Sequence, residues 1–239
     1  MRNDERFLHM FFYNQNSQEI TQDEWVNLFE PYYFLNGHTH GHRITRKNQG
    51  SRFVENQIEF ILEKGLSIND LPLIVAWKIG AIDHQASENQ RVIVFKNHFN
   101  QDFRFQAQYG TIRAAEIITY CQQNFNNLTE INTDAEQLFS NFYENRGGNN
   151  RFGLVSCLSL LYFFTQGMWP IYDRYAHIAL NAISLNIPPG KCVPCEPINQ
   201  FNDYREWYVN KLIDIFGNQN ILRKIDRSLW VYGHFFPST

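Results

Sequence analysis

Charge is what this chain has little of. Only 19% of its 239 residues are Asp, Glu, Lys or Arg, and 21 basic against 24 acidic residues leave a formal net charge of −3. A protein that coats nucleic acid by charge alone is thereby excluded. Long apolar runs are missing as well: nothing approaches the roughly 18 residues that a membrane-crossing helix needs. Asp4 and Glu5 precede a short apolar stretch, Phe7 to Phe12, which is no signal peptide. Four cysteines in a chain of this length do not form a disulfide framework. These absences lead to the expectation of a soluble cytoplasmic protein.

Aromatic residues are abundant. Twenty-one Phe, 12 Tyr and 5 Trp supply a large core and exclude intrinsic disorder. Polarity comes from amides, 26 Asn and 16 Gln, and their scatter argues against a prion-like tract.

Helix signals recur from end to end. Thr21 with Glu24 forms a capping box before Trp25, Leu28 and Phe29. Residues 52–64 put Phe53, Ile58, Ile61 and Leu62 on one face, and Gly65 stops the helix. Asn69 or Asp70, followed by Pro72, opens an apolar helix to about Ile79. Further helices are predicted over 111–123, after the capping box of Thr133 with Glu136, and over 153–164, 174–184, 203–216 and 221–232. RVIVFK at 91–96 and FRFQAQ at 103–108 suggest a β-hairpin. Loops are expected at 31–51, 84–90, 145–152 and 186–200. The expected fold is all-α, mainly: two packed helical lobes with a cleft, and one small β-hairpin near 91–108. It is one compact unit over 1–239, with lobes at 1–110 and 111–239.

Chemistry concentrates in QGMWPIYDRYAHIAL, Gln166 to Leu180. Pro170 imposes an extended approach, and Asp173 then stands at the mouth of an amphipathic helix. One reading is an N-cap that satisfies first-turn amides. The other is a carboxylate walled by Trp169, Ile171 and Tyr172, raised in pKa by desolvation and suited to general-base work or to stabilising a cation. The two are compatible.

An apolar helix, a short turn and a P-x-x-D entry into an Ala-rich helix, SCLSLLYFFTQGMWPIYDRYAHIAL from Ser156 to Leu180, resembles the core of the helix-hairpin-helix DNA glycosylases. The likeness is to their 8-oxoguanine DNA glycosylase-like bacterial branch. LRKIDRSLWVYG, Leu222 to Gly233, resembles the closing helix of such proteins, and AWKIG at 76–80 is a third island. The resemblance implies a protein that binds DNA, takes a damaged or modified base out of the stack and cleaves its N-glycosidic bond. It assigns catalysis to Asp173, a base pocket to Trp169, Tyr172 and Trp230, and phosphate contact to the turn RGGNNRFG, with Arg146, Asn149 and Arg151. As plain residues, the three aromatics also read as core.

Members that form a Schiff base carry a lysine in the helix before the aspartate. Between Ser156 and Asp173 this chain has none, and the positions in question read Leu154 or Ser159. The resemblance then implies hydrolysis through an Asp173-activated water, without a borohydride-trapped adduct. The four-cysteine cluster of some members is absent from the C-terminus, and no cofactor is expected. The alternative function is a catalytically silent nucleic-acid- or protein-binding module on the same scaffold.

Two features stand outside that resemblance. Cys192 and Cys195 form a lone CxxC in PPGKCVPCEP: a weak zinc candidate, since a structural zinc needs four ligands, or a proline-braced loop with free thiols. No acid occurs from Pro31 through Val54, while Arg43, Arg46, Lys47 and Arg52 give +4. That window reads either as a solvated loop or as a local phosphate-contacting patch.

Overall fold

In a computed structural model of the chain, the described residues are 10–34, 50–78, 82, 93, 95, 140, 143, 144 and 153–237. They are mostly helical, with one small antiparallel sheet. β1 (Phe12–Tyr13) pairs with β2 (Glu19–Ile20), and the Asn14 carboxamide oxygen closes the turn by accepting from the backbone of Asn16 and Gln18. Alternation over two residues gives no sequence signal, so this hairpin was not expected. Of the hairpin predicted near 91–108, Phe95 lies in an antiparallel bridge with Ile82, and 103–108 fall outside the described residues. The helices predicted over 111–123 and after Thr133 lie outside them too, apart from short helical pieces at 140 and 143–144.

α1 (Gln22–Tyr33) starts at the expected capping box: Glu24 N donates to Thr21 Oγ1, and Thr21 N donates to Glu24 Oε2. α2 (Gly50–Lys64) ends at Gly65, whose φ of +86° a side chain would strain. α3 (Leu71–Lys78) starts directly after Asp70, one of the two residues expected to open it, with Pro72 inside its first turn. A 3-10 turn (Ile68–Asp70) that was not expected precedes it, and Ser67 Oγ donates to Asp70 Oδ2. α4 (Leu154–Phe164) is buried along nearly its whole length, as its apolar sequence requires. α5 (Arg174–Ser184) follows Asp173. α6 (Phe201–Tyr204) runs through a π-helical segment (Arg205–Val209) into α7 (Asn210–Phe216), and α8 (Arg223–Gly233) closes the chain.

The two ends of the chain meet in one aromatic cluster. Trp25 and Phe29 of α1 have ring centroids 5.5 Å and 5.0 Å from Tyr232 of α8, Phe29 also packs on Phe235, and Phe12 covers Trp25. Each such ring contributes about 2 kcal/mol by burial. Gly233 is where α8 crosses α5. A Cβ there would lie 1.9 Å from the Tyr175 carbonyl oxygen and 2.5 Å from its carbon, so only glycine permits this approach.

Beside the cluster lies an ionic knot. Glu55 of α2 is 1% exposed. It accepts from Tyr33 Oη and Trp77 Nε1, each at 2.8 Å, and from Arg223 Nη2 at 2.9 Å, with Arg227 Nη1 at 3.6 Å. Arg227 further binds Glu59 and Glu30, and Arg223 binds Asp226. Helices α1, α2, α3 and α8 thus share one carboxylate. Burial pushes Glu55 upward, but Arg223, the two hydrogen bonds and Arg227 outweigh it and hold the carboxyl below its ordinary value.

Gly233→Ala is expected to cost about 3 kcal/mol and to lower Tm by about 6–12 °C, because the clash is with backbone. A calorimetric scan checks it, and an unchanged Tm would mean that α5 and α8 do not cross there. Glu55→Gln is expected to cost about 3 kcal/mol at neutral pH by removing the buried charge that Arg223 and Arg227 share. A carboxyl with a lowered folded pKa stabilises above its unfolded value and loses that contribution as pH falls through the folded one. The gap between wild type and Glu55→Gln, measured by urea denaturation, therefore narrows below about pH 4.

Candidate functional site: a clamped aspartate beside a buried lysine

Asp173 caps α5. Its backbone is extended (φ −139°, ψ 142°), and its Oδ1 accepts from Tyr175 N at 2.8 Å. That is the capping reading; its second oxygen, Oδ2, lies 3.8 Å from Lys78 Nζ. The carboxylate is not walled off: its side chain keeps 29% exposure. Its closest ionic neighbour is a cation, and not the purely apolar wall expected from Trp169, Ile171 and Tyr172.

The segment carrying Asp173 is gripped carbonyl by carbonyl. Tyr204 Oη donates to Pro170 O at 2.6 Å, Tyr208 Oη donates to Ile171 O at 3.0 Å, and Lys78 Nζ donates to Tyr172 O at 2.9 Å. An extended strand without a sheet leaves its carbonyls orphaned, and buried orphans are costly. Here three side chains from two other helices satisfy them. Tyr204, just before the π-helical segment, and Tyr208, within it, have rings 5.8 Å apart and nearly parallel. Single-turn π insertions recur at functional sites. Upstream, the turn out of α4 is fixed by Gly167 N on Tyr162 O and by Trp169 N on Thr165 Oγ1.

Lys78 ends α3 and is the only charged residue in LPLIVAWK. Burial pulls its ammonium below the ordinary lysine range, Asp173 pulls the other way, and Arg223 adds to the lowering. Sequence reasoning sought a lysine between Ser156 and Asp173. The structure brings one from helix α3, within the AWKIG island, and its only advance signal was a lone charge closing an apolar helix.

The aromatic candidates divide. Tyr172 is buried, with its ring against Tyr208 (5.2 Å), His177 (6.0 Å) and Tyr204 (6.4 Å). Trp169 is half-buried against Tyr204, and the Arg205 guanidinium lies 5.8 Å from its centre. Trp230 belongs to another group, with Tyr33, Tyr175 and His234, and reaches Asp173 only through Tyr175. Arg52, exposed on α2, stacks its guanidinium 4.2 Å from the centre of Phe34. Arg43, Arg46, Lys47, Arg146, Asn149 and Arg151 lie outside the described residues.

Cys192 and Cys195 are free thiols, and among the described residues no three His, Cys, Asp or Glu side chains gather to hold a metal ion. Cys195 Sγ instead lies 3.3 Å from His177 Nδ1, and burial lowers that histidine to about 4 and raises the thiol. The CxxC loop is strapped down by buried Val193 and by Asn181 Nδ2 on Pro194 O at 2.9 Å. No helix among the described residues is long and apolar enough to cross a membrane. No family model, curated protein or solved structure matches the chain.

Tyr204→Phe and Tyr208→Phe are each expected to cost about 1–2 kcal/mol, since each strands a buried carbonyl while leaving the ring in place. Urea denaturation of the single variants checks this. A loss below a few tenths of a kcal/mol in both would mean that the clamp does not hold residues 170–171.

Proposed function

We propose that this chain is a DNA glycosylase-like protein that binds duplex DNA, flips a damaged or modified base and hydrolyses its N-glycosidic bond, with Asp173 as the key carboxylate. The observation that carries the reading is the division of labour within Asp173. Oδ1 is anchored on its own helix, while Oδ2, partly open to solvent, is left to work on a substrate. A carboxylate so held can orient and deprotonate a water, or stand against the positive charge that grows on the sugar as the base departs. Lys78 lies 3.8 Å from Oδ2, and the grip on 170–172 keeps the carboxylate from swinging, which is the preorganisation such a step requires.

The remaining parts of the reading rest on residue type and on the sequence resemblance. Two helical lobes, about 1–110 and 111–239, would embrace the duplex. Arg43, Arg46, Lys47 and Arg52 would contact phosphates on one side, and Arg146, Asn149 and Arg151 on the other. Trp169 is the best placed of the three aromatics to stack on a base, because it is half-buried and close to Asp173 along the chain. The setting would be base excision repair in the cytoplasm.

A second reading is favoured by Tyr172, whose ring is already packed against three others. A base pocket filled by its own side chains belongs to a silent binding module. Release of free base from oligonucleotides carrying modified bases separates the two readings. Asp173→Asn is the informative variant, since Asn caps a helix as well as Asp does but neither takes a proton nor carries charge. Base release is expected to fall by roughly 10²–10⁴-fold with stability nearly retained. Release unchanged in Asp173→Asn would sink the mechanism, and salt-dependent binding without release would leave the module.

A further inference from the structure

We propose that Cys192 and Cys195 form a thiol–disulfide exchange site, in which Cys192 takes up one half of a small-molecule disulfide and Cys195, with His177 as its base, displaces it to close a 192–195 disulfide. Neither Asp173 nor DNA takes part. The loop is pinned around its thiols: Gly190 N donates to Phe235 O at 3.0 Å, Asn181 Nδ2 donates to Pro194 O at 2.9 Å, and Lys211 Nζ pairs with Glu196 Oε2 at 3.5 Å. Val193 is buried, whereas Cys192 is exposed and Cys195 half-buried. A soluble disulfide therefore reaches Cys192 first. Cys195 Sγ lies 3.3 Å from Nδ1 of His177, within hydrogen-bond reach for sulfur, and His177 is fully buried. Tyr172 and Tyr208 hold the imidazole edge-on, with ring centroids at 6.0 Å and 5.9 Å. A thiol with a fixed base at hydrogen-bond distance is what a sulfur nucleophile needs. Cys157, the remaining described cysteine, is buried on α4.

The exchange has two displacements. The Cys192 thiolate attacks one sulfur of RS–SR, a new S–S bond forms, and the departing thiolate takes the proton that Cys192 released to water. With its own ring proton on Nε2, His177 then accepts the Cys195 S–H proton at Nδ1 as Cys195 Sγ attacks Cys192 Sγ. The mixed S–S bond breaks, and the second thiolate leaves with the proton from His177. Two protein thiols are oxidised to one disulfide, and RS–SR is reduced to two RSH. Burial and Lys211 lower His177 to about 4, against Glu196 and the Trp207 backbone, so its ring is uncharged at neutral pH and has a lone pair to give. Burial and Glu196 raise the Cys195 thiol, against Lys211 and Arg174, so it stays protonated there and depends on a base.

The full-length protein is mixed with oxidised glutathione at neutral pH, quenched with acid over time, and followed by intact mass and peptide mapping. Glutathione is expected to add at Cys192 and to be lost again as the 192–195 disulfide closes, whereas in Cys195→Ser the adduct persists. In Cys192→Ser, uptake at Cys195 is expected to be about tenfold slower than uptake at Cys192 in Cys195→Ser, because the thiol is half-buried. In His177→Gln, uptake at Cys192 keeps its rate while closure slows about 10²-fold, the lower end of what a positioned base supplies. Raising the pH restores closure in that variant, since hydroxide then takes the proton, and a loop merely displaced by the substitution would not recover. No uptake at Cys192, or a wild-type adduct as long-lived as that in Cys195→Ser, overturns the proposal. Closure in His177→Gln at the wild-type rate, or slow at every pH, overturns it as well. Should His177→Gln not fold, the comparison of wild type with Cys195→Ser decides.

Discussion

Glu55 is the constraint on which the described structure depends. A carboxylate 1% exposed is tolerable only if every lone pair is used, and Tyr33, Trp77, Arg223 and Arg227 use them. The requirement runs in both directions. Arg223 and Arg227 are themselves nearly buried, at 12% and 9% side-chain exposure, and without Glu55 Arg223 would keep only Asp226 as an ionic partner and Arg227 only Glu30 and Glu59. Hydrophobic burial alone would let α1, α2, α3 and α8 slide on one another. The knot allows one register, because moving any helix by a turn would unpair a buried charge.

The candidate site hangs from this knot at two points. Trp77, whose Nε1 donates to Glu55, immediately precedes Lys78 in α3, so the bond that fixes the indole also sets where the amine emerges. On the other side, α8 carries Arg223 at its start and Gly233 at its end. Gly233 lies flat against the Tyr175 backbone, and the Tyr175 amide is the one that binds Asp173. Amine and carboxylate are thus brought together by two routes from one carboxylate, one through α3 and one through α8 and α5. Tyr204 at the end of α6 and Tyr208 within the π-helical segment add a third support. Such convergence is what a functional pair needs, since side chains held from several elements keep their geometry when one element fluctuates.

Local features of the chain were legible in its sequence, and long-range partners were not. The Thr21–Glu24 capping box, the Gly65 stop, the buried apolar helix and the helix after Asp173 all follow from rules spanning a few residues, and the structure has each of them. Asp173 as a cap was likewise readable from residue type and position. Lys78 was not, because its partner lies on a distant helix and periodicity carries no information about which helices meet. Glu55 was missed for a related reason. In VENQIEF it looks like one of several solvated charges on an amphipathic helix, and only the arrival of two arginines from α8 makes the buried position possible. The π-helical segment was invisible too, since one extra residue in a turn leaves the apolar pattern of 203–216 almost unchanged. The opening of α3 was read to within a residue, since the helix starts at Leu71 directly after Asp70, but the 3-10 turn before it, where Ser67 N and Oγ both donate to Asp70 Oδ2, was not foreseen.

The scarcity of charge takes on a different meaning once the knot is in view. A net of −3 suggests a surface with little electrostatic character, but several of the few charged groups are not at the surface. Glu55, Asp226 and Arg227 are buried, and Lys78 and Arg223 nearly so. Much of the chain's polarity comes instead from its 42 amides, which carry no charge to repel or attract a partner at a distance. In a low-dielectric interior the retained charges act strongly on one another and are little screened by salt. Lys78 shows the effect: Asp173 favours its ammonium, while burial and Arg223 oppose it. Along the chain, the window from Pro31 through Val54 is the one place where several cations stand with no acid between them. A sparsely charged protein can in this way hold a strong local field at a site and a weak one everywhere else.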